Sequence, residues 1–154
     1  MRKKVGLALG SGGIRGLAHI GVIKKLLEHN IPIDYIAGSS IGAWVGAHYA
    51  LFQDIEKLEE YTLQKKKEKF FSFLEPTLSG GLIKGNKIEK LLNDWLDNAN
   101  FENTKIPLKI VATDLITGKT TIFQKGKLST AVRASISVPT LFKAFQFKNK
   151  LLVD

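Results

Sequence analysis

Short apolar runs and helical patterns alternate along the first third of the chain. Residues 5–9 and 33–37 are apolar runs of the length of buried strands. The first run leads through the glycine-rich residues 10–16 into a segment with apolar residues at helical spacing: Leu17, Ile20, Ile23, Leu26 and Leu27. The second run leads through another glycine corner into an apolar helix over residues 41–52. Two repeats of strand, glycine turn and helix predict parallel strands joined by right-handed crossovers.

The remaining two thirds of the chain add further elements to this pattern. We predict a charged helix over residues 54–69 and a second helix that ends near residue 96. A central strand over 107–114 and a strand over 120–123 follow. The last elements are a helix over 128–137, which Pro139 ends, and a hairpin around Asn149. The predicted fold is α/β, with three α/β/α layers and a mainly parallel central sheet. Residues 5–9, 33–37 and 107–114 are expected to be adjacent parallel strands of that sheet.

Composition is that of a globular protein with one core. The chain has 154 residues, of which 44% are hydrophobic and 24% charged, so we expect a single domain over residues 1–154. No apolar run approaches the roughly 18 residues of a membrane span, and the apolar part near the amino terminus is shorter than a signal peptide's. We therefore expect a cytoplasmic protein. The absence of cysteine excludes disulfides and thiolate metal sites.

The positive charge is concentrated in the last third of the chain. The net charge is +9, and from Thr104 onward the acidic residues are Asp114 and Asp154 alone. The sequence stops inside a predicted strand, so we expect it to be part of a longer protein whose remaining residues offset this charge. For that reason the charge does not indicate a nucleic-acid partner, and we expect none.

The second glycine corner carries a candidate nucleophile. The sequence Gly-Ser-Ser-Ile-Gly at residues 38–42 matches G-x-S-x-G with Ser40 at its centre, flanked by Gly38 and Gly42. In a nucleophile elbow, a sharp strand-to-helix turn exposes the serine Oγ, and the helix directs its N-terminal N–H groups at the developing charge. Such a turn is also a common helix cap. The strand before it and the small-residue helix after it favour the nucleophile.

The first glycine corner has two possible functions. As G-x-G-x-x-x-G it resembles a dinucleotide loop, which requires an acidic residue at the end of the second strand. That strand ends in Ala-Gly-Ser-Ser, and Asp34 lies near its beginning. An oxyanion hole beside Ser40 fits better. Its predicted donors are the backbone N–H groups of Gly12, Gly13, Ile14 and Arg15.

The base that would activate Ser40 is less clear from the residues. His48 is eight residues further along the predicted helix, about 12 Å away and out of hydrogen-bond reach. His19 and His29 lie on the first helix, where a surface role is expected for both. A carboxylate is then required, and Asp154 and Asp114 both end predicted strands.

Five stretches of the chain together resemble a known family. They are LALGSGGIRGLAHIGV, IAGSSIGAWVG, GLIKGNKIEKLL, ATDLITGK and AVRASISVPTLF, followed by LLVD at the end. In this order they are similar to the bacterial branch of the patatin-like phospholipases. The resemblance implies a Ser–Asp dyad without a catalytic histidine, with Ser40 as nucleophile, Asp154 as base and residues 12–15 as the oxyanion hole. Asp114 lies outside the dyad motif and is then structural.

The resemblance implies a phospholipid or other acyl ester as substrate, with no metal or cofactor and with contact at a membrane surface. Two alternatives remain. The first is a dinucleotide-binding module built on residues 10–16. The second is a non-catalytic membrane-surface protein, because residues 64–74, QKKKEKFFSFL, place lysines beside aromatic side chains.

Overall fold

The computed structural model describes residues 2–65, 85–139 and 141–154. Six strands are present in this part of the chain: β1 (Gly6–Leu9), β2 (Tyr35–Gly38), β3 (Leu108–Asp114), β4 (Thr120–Phe123), β5 (Phe145–Phe147) and β6 (Lys150–Val153). Five α-helices accompany them: α1 (Ala18–Glu28), α2 (Ile41–Phe52), α3 (Ile55–Glu59), α4 (Gly85–Trp95) and α5 (Leu128–Ser135). A 3₁₀ turn, Gly13–Leu17, precedes α1, and a π-helical turn, Glu60–Lys65, follows α3.

The strands form a mixed sheet in the order β1-β2-β3-β6-β5, with β4 also paired to β3. The first three strands are adjacent and parallel, as the sequence predicts. The pairs that β3 makes with β4 and β6, and the pair of β5 with β6, are antiparallel. Parallel pairing is therefore confined to β1, β2 and β3. The turns after β3 and β5 are too short for the crossover that a parallel pair requires, and they form hairpins instead.

Strands β2 and β6 lie along the same edge of β3. The N–H of Ile36 in β2 donates to the carbonyl of Pro107 (3.0 Å), and the N–H of Leu115 donates to the carbonyl of Leu151 in β6 (2.8 Å). Backbone polar groups of successive strand residues point to opposite edges, and Pro107 and Leu115 are an even number of residues apart. Both bonds are therefore made at one edge.

These two strands approach each other end to end. The last residue of β2 lies opposite Ile110, and the last residue of β6 lies opposite Thr113. Between them, Val111 and Ala112 have no strand partner on that edge within the described residues. The parallel ladder and the antiparallel ladder thus leave a two-residue gap in the sheet.

The core lies between the sheet and the helices. Residues 41–51 of α2 are all buried, as expected of a helix enclosed on every side, and α2 packs against β1, β2 and β3. Its small residue Gly46 lies against the side chains of Leu9, Ile36 and Leu108. Helix α5 packs on β3 and β6, α4 packs on α5, and α1 packs on α2 and α3.

The opposite face of the sheet is exposed. Side chains that point to it from the first two strands, including Tyr35 and Ala37, are solvent-accessible, as is Lys109 of β3. Right-handed crossovers between successive neighbouring strands place α1 and α2 on the same face. The α/β class is confirmed, whereas the described residues contribute one of the two helical layers that the sequence predicts.

The predicted charged helix is interrupted where α3 passes into its π-helical turn, and its end lies outside the described residues. Most of the lysine and aromatic stretch, residues 66–74, also lies outside the described residues. The other predicted elements are confirmed, including the last hairpin. Within the described residues, no helix combines the length and the apolarity that crossing a membrane requires.

Candidate active site

The corner between β2 and α2 is a strained turn centred on Ser40. Its backbone has φ 54° and ψ −125°, a conformation that a residue with a side chain seldom adopts. Helix α2 begins at the next residue, and the Ser40 carbonyl accepts hydrogen bonds from the N–H groups of Ala43 (2.9 Å) and Trp44 (3.2 Å). This geometry is that of the nucleophile elbow predicted from the sequence.

Two glycines permit this turn because other backbone atoms lie where their side chains would be. A Cβ on Gly42 would be 2.1 Å from the carbonyl oxygen of Leu9, at the end of β1. A Cβ on Gly38 would be 2.7 Å from the Cα of Ala43. Both predicted elbow glycines are therefore sites of close backbone approach, which explains why the corner requires them.

Ser40 and Asp154 are in direct contact. Ser40 Oγ donates to Asp154 Oδ2 at 2.5 Å, and the backbone N–H of Asp154 donates to the carbonyl of Ser137 (3.1 Å). The second carboxylate oxygen is 3.5 Å from the hydroxyl of Ser11. Burial raises the pKa of Asp154, and the hydrogen bonds from Ser40 and Ser11 partly oppose that rise. The arrangement places a carboxylate where it can accept the proton of Ser40.

Asp114 has a different role. Its carboxylate accepts the backbone N–H of Ile116 (3.1 Å) and so closes the turn between β3 and β4. Desolvation favours a higher pKa for Asp114, but the hydrogen bonds from Ile116 and Thr117 outweigh it and the pKa is lowered. Of the two carboxylates left open by the sequence, Asp154 is therefore the one that contacts Ser40.

The histidines are not bonded to Ser40 in the described part of the chain. His48 is 1% exposed and stacks on Trp95, with ring centroids 4.0 Å apart. Burial lowers the pKa of His48 to about 4. His19 Nε2 is 2.8 Å from the carbonyl oxygen of Gly10, where it supports the glycine loop. His29 follows the exposed end of α1.

The glycine loop after β1 presents backbone donors beside Ser40. Within the described residues, the N–H groups of Gly12, Gly13 and Ile14 have no acceptor, and all three residues line the same cavity as Ser40. The N–H of Arg15 donates to the carbonyl of Gly12 (3.2 Å). This corrects the sequence prediction for Arg15, because the 3₁₀ turn itself uses that donor. Gly13 has φ 53°, which favours glycine at this position.

An apolar cavity of about 260 Å³ opens at the dyad. Polar groups from the glycine loop, Ser40 and Asp154 lie at one part of it. The rest of the lining is apolar and comes from α2, α4 and the segment after α5: Ile41, Trp44, Ile88, Leu91, Ile136, Val138, Leu141 and Phe142. A cavity of this kind can hold a hydrocarbon chain whose carbonyl group lies against Ser40.

Three serines at the site make contacts that sequence reasoning did not assign. Ser135 is fully buried, and its hydroxyl contacts the backbone of both Ser40 and Val111. Ser11 and Ser39 lie with their hydroxyl oxygens 3.2 Å apart beside the dyad. A serine on the apolar face of a helix is a signal for a buried hydrogen bond, so Ser135 was detectable as a polar core residue but not as a partner of the elbow.

Asp34 is not placed where a dinucleotide site would require its acidic residue. Asp34 accepts hydrogen bonds from the N–H of Val5 (2.8 Å) and from Nη1 and Nη2 of Arg2 (2.6 Å each), so it fixes the start of β1. It lies at the end of the sheet away from the glycine loop. Among the described residues, no cluster of three or more His, Cys, Asp or Glu side chains could hold a metal ion.

Comparisons with known proteins agree on one family. The model of the patatin-like phospholipases matches residues 7–154. An uncharacterized NTE family protein of Mycobacterium tuberculosis is 39% identical over 98% of this chain, and the chain spans 42% of that relative's length. The neuropathy target esterase of Drosophila persimilis is 34% identical to this chain, and the match covers 87% of this chain and 10% of the esterase. The crystal structure of VipD from Legionella pneumophila has the same fold, with a TM-score of 0.72, 13% identity, and coverage of 99% of this chain and 46% of VipD.

Proposed function

This chain belongs to the patatin-like phospholipase family, and we propose that it hydrolyses acyl ester bonds of lipids through a Ser40–Asp154 dyad. The observation that supports this function is the 2.5 Å hydrogen bond from Ser40 Oγ to Asp154 Oδ2 at the mouth of an apolar cavity. The family supports lipid hydrolysis in general. The dyad and the reaction type, phospholipase A or lysophospholipase, are part of our proposal.

In the first half of the reaction, Ser40 Oγ attacks the ester carbonyl carbon while its proton passes to Asp154. The carbonyl oxygen becomes an oxyanion, which accepts hydrogen bonds from the backbone N–H groups of Gly12, Gly13 and Ile14. The N-terminal end of α2 adds positive potential at the same point. The carbon–oxygen bond to the leaving alcohol then breaks, and Asp154 returns its proton to that alcohol.

In the second half, a water molecule attacks the acyl group on Ser40. Asp154 takes a proton from this water, and the new oxyanion occupies the same backbone donors. The bond between the acyl carbon and Ser40 Oγ breaks, Ser40 recovers the proton from Asp154, and a fatty acid leaves. One carboxylate thus serves both halves as base and acid, without a histidine.

The form of the cavity supports a lipid substrate. Its lining is mainly aliphatic and aromatic, so burying an acyl chain there removes apolar surface from water. The charged and polar groups are confined to the part where the ester carbonyl would lie. The neuropathy target esterase relative carries an esterase name, which is consistent with this reaction class.

We also propose that the edge of the sheet carrying the dyad contacts a membrane surface from the cytoplasmic side. The exposed fractions of Leu115 and Ile116, in the turn after β3, are 51% and 78%, and that of Ile14 at the cavity is 46%. Because β1 and β3 are parallel, these loops lie at the same edge. Leu115 is bonded opposite Leu151, three residues from Asp154, which is about 10 Å along a strand.

Lys119 ends this turn and pairs with Asp114 through the backbone, and Lys150 Nζ donates to Thr121 Oγ1 beside it (3.0 Å), so anionic lipid would be favoured. Flotation with vesicles of phosphatidylglycerol and phosphatidylcholine tests this contact. Ile116→Ser should weaken binding, whereas Ile122→Ser, an exposed isoleucine on β4, should leave it unchanged. Equal loss in both variants would contradict a contact at this edge.

A serine-directed fluorophosphonate with a long alkyl chain tests the catalytic proposal. We expect mass spectrometry to find the adduct on Ser40 and not on Ser39, and Ser40→Ala to abolish release of p-nitrophenol from an acyl ester. An adduct on Ser39 would overturn the assignment of the nucleophile. Vesicle binding by a protein that neither reacts with the probe nor releases fatty acid would favour the non-catalytic alternative, and a thermal shift with NADPH would favour the dinucleotide module.

A further inference from the structure

We propose that Ser135 is a positioning residue that holds the nucleophile elbow by filling the two-residue gap between β2 and β6. This inference rests on the proposed function, because it concerns the placement of Ser40. Ser135 is the last residue of α5 and is 0% exposed. It lies 95 residues from Ser40 in the sequence, so the contact is made only by the tertiary fold.

The hydroxyl of Ser135 makes two hydrogen bonds to backbone atoms. It donates to the carbonyl oxygen of Val111 at 2.6 Å and accepts the N–H of Ser40 at 2.8 Å. Val111 is one of the two residues of β3 that lack a strand partner on the edge shared by β2 and β6. One side-chain oxygen therefore replaces the donor and the acceptor that a continuous neighbouring strand would provide.

The bond to Ser40 falls where the backbone is under strain. Ser40 has a positive φ of 54°, and such a conformation persists only when surrounding contacts fix it. The turn is fixed on its helix side by bonds within α2, and Ser39 is fixed by its N–H bond to the carbonyl of Leu9 (3.0 Å). The N–H of Ser40 itself depends on Ser135. Without that acceptor, we expect the peptide group to rotate and Ser40 Oγ to move relative to Asp154.

The same helix end also positions the base. Two residues after Ser135, the carbonyl of Ser137 accepts the backbone N–H of Asp154 (3.1 Å). The segment 135–137 thus contacts the backbone of both dyad members, one through a side chain and one through a carbonyl. This arrangement explains how a nucleophile just after β2 and a base just after β6 can be held together although those strands do not pair with each other.

The experiment compares Ser135→Ala with Ser129→Ala in the full-length protein. Ser129 is a buried serine of the same helix that makes no hydrogen bond with the elbow in the described part of the chain. Fluorophosphonate titration counts active sites, and kcat for a short soluble p-nitrophenyl ester is then expressed per active site. We expect Ser135→Ala to lower this kcat on the order of 10- to 100-fold, the effect of a displacement near 1 Å, with little change in KM. Ser129→Ala should retain the wild-type value.

This readout separates positioning from a merely structural role. A residue that only fills the core would reduce the thermal midpoint and the number of active sites, but not the rate at each remaining site. Ser135→Thr retains the hydroxyl and should recover most of the rate per site. A Ser135→Thr protein that is folded but as slow as Ser135→Ala would overturn the role of the hydroxyl.

Ser135→Cys covers the case in which the alanine variant does not fold. The thiol nearly preserves the volume but weakens both hydrogen bonds, so an intermediate rate per site is expected. A wild-type rate per site in Ser135→Cys or Ser135→Ala would refute the inference and leave the proposed function intact. By contrast, a wild-type protein that is not labelled at Ser40 and releases no fatty acid would refute the proposed function itself.

Discussion

Replacing Gly42 by alanine tests the geometry of the elbow directly. The new methyl carbon would lie 2.1 Å from the carbonyl oxygen of Leu9 and 2.8 Å from that of Gly10. Separations below 3.0 Å do not occur for real Cβ atoms, so the two backbones must move apart by about 1 Å. Both atoms belong to the backbone, so no side-chain rotation can relieve the contact.

The movement must disturb one of two structures. If the carbonyl of Leu9 moves, its hydrogen bond with the N–H of Ser39 (3.0 Å) is weakened. If α2 moves, Ser40 moves with it and away from Asp154. Overpacking of this kind costs about 1–3 kcal/mol, and loss of the hydrogen bond about 1 kcal/mol more. For a domain of this size, that predicts a fall in Tm of roughly 5–15 °C.

Turnover should fall further than stability alone explains. A displacement of about 1 Å at the reacting atoms can reduce kcat by on the order of 100-fold. The control is Gly21→Ala, because a Cβ on Gly21 has nothing within 4 Å and this residue lies inside α1. Alanine there should raise the free energy of unfolding by about 0.5–1 kcal/mol, since it favours helix over glycine, with kcat unchanged.

Circular dichroism melts and ester hydrolysis at a temperature below both transitions measure the two effects. The reasoning is wrong if Gly42→Ala melts within about 2 °C of the wild type and retains its turnover. It is also wrong if Gly21→Ala, which meets no atoms, is damaged as severely as Gly42→Ala. Either outcome would mean that the approach of α2 to the end of β1 does not constrain the site.

Four further predictions concern protonation and the glycine loop. Asp154→Asn should lower kcat by about 10²–10⁴-fold in ester assays, because this is the usual contribution of a general base. A variant that keeps the wild-type kcat would contradict the dyad. Since burial raises the pKa of Asp154 above 3.8, kcat/KM should fall as the pH is lowered through that raised pKa. If His19→Gln or His48→Gln removed this fall in kcat/KM at low pH, the base would be a histidine instead. The pKa of His48 is 6.5 in the unfolded chain and is lowered to about 4 in the folded protein. The free energy of unfolding, measured by urea titration, should therefore decrease by up to about 3 kcal/mol as the pH falls from 6.5 towards 4. A constant free energy of unfolding over this range would show that His48 is not buried as a neutral ring. Gly13→Ala, at φ 53°, should reduce kcat by about 10²–10³-fold with little change in KM, and an unchanged kcat would exclude the loop from the oxyanion hole.

Elements whose signals are local could be predicted from the sequence. The apolar runs placed β1, β2 and β3 beside one another, and α2 spans residues 41–52 as its apolar pattern indicated. The corner at Ser40 was also predictable, because a strand, two glycines and a small-residue helix specify an elbow within a dozen residues. In the described residues α1 and α2 lie on one face of the sheet, since successive right-handed crossovers in one direction place their helices on one side.

The candidate site was predictable only where the chain carries a pattern for it. Reasoning from residues alone left Asp114 and Asp154 equivalent, since both end strands, and the family resemblance distinguished them. Their separation in the structure comes from the pairing of β6 with β3, which places Asp154 beside Ser40 while Asp114 closes its own turn. The error at Arg15 has a similar origin, because a 3₁₀ turn that bonds this N–H to Gly12 leaves no sequence signal.

The end-to-end meeting of β2 and β6 has a consequence for the order in which the protein becomes active. Ser40 and Asp154 are 114 residues apart, and β6 is joined to β3 by two residue pairs. The glycine loop and the helix side of the corner are made by segments close in the sequence and can form early. The contacts of Ser40 with Ser135 and with Asp154 close loops of 95 and 114 residues and are expected to form later. A chain synthesised only as far as α2 would therefore have neither the contact that holds Ser40 nor the base. The late pairing of β6 would then keep the proposed hydrolase inactive until Asp154 reaches Ser40.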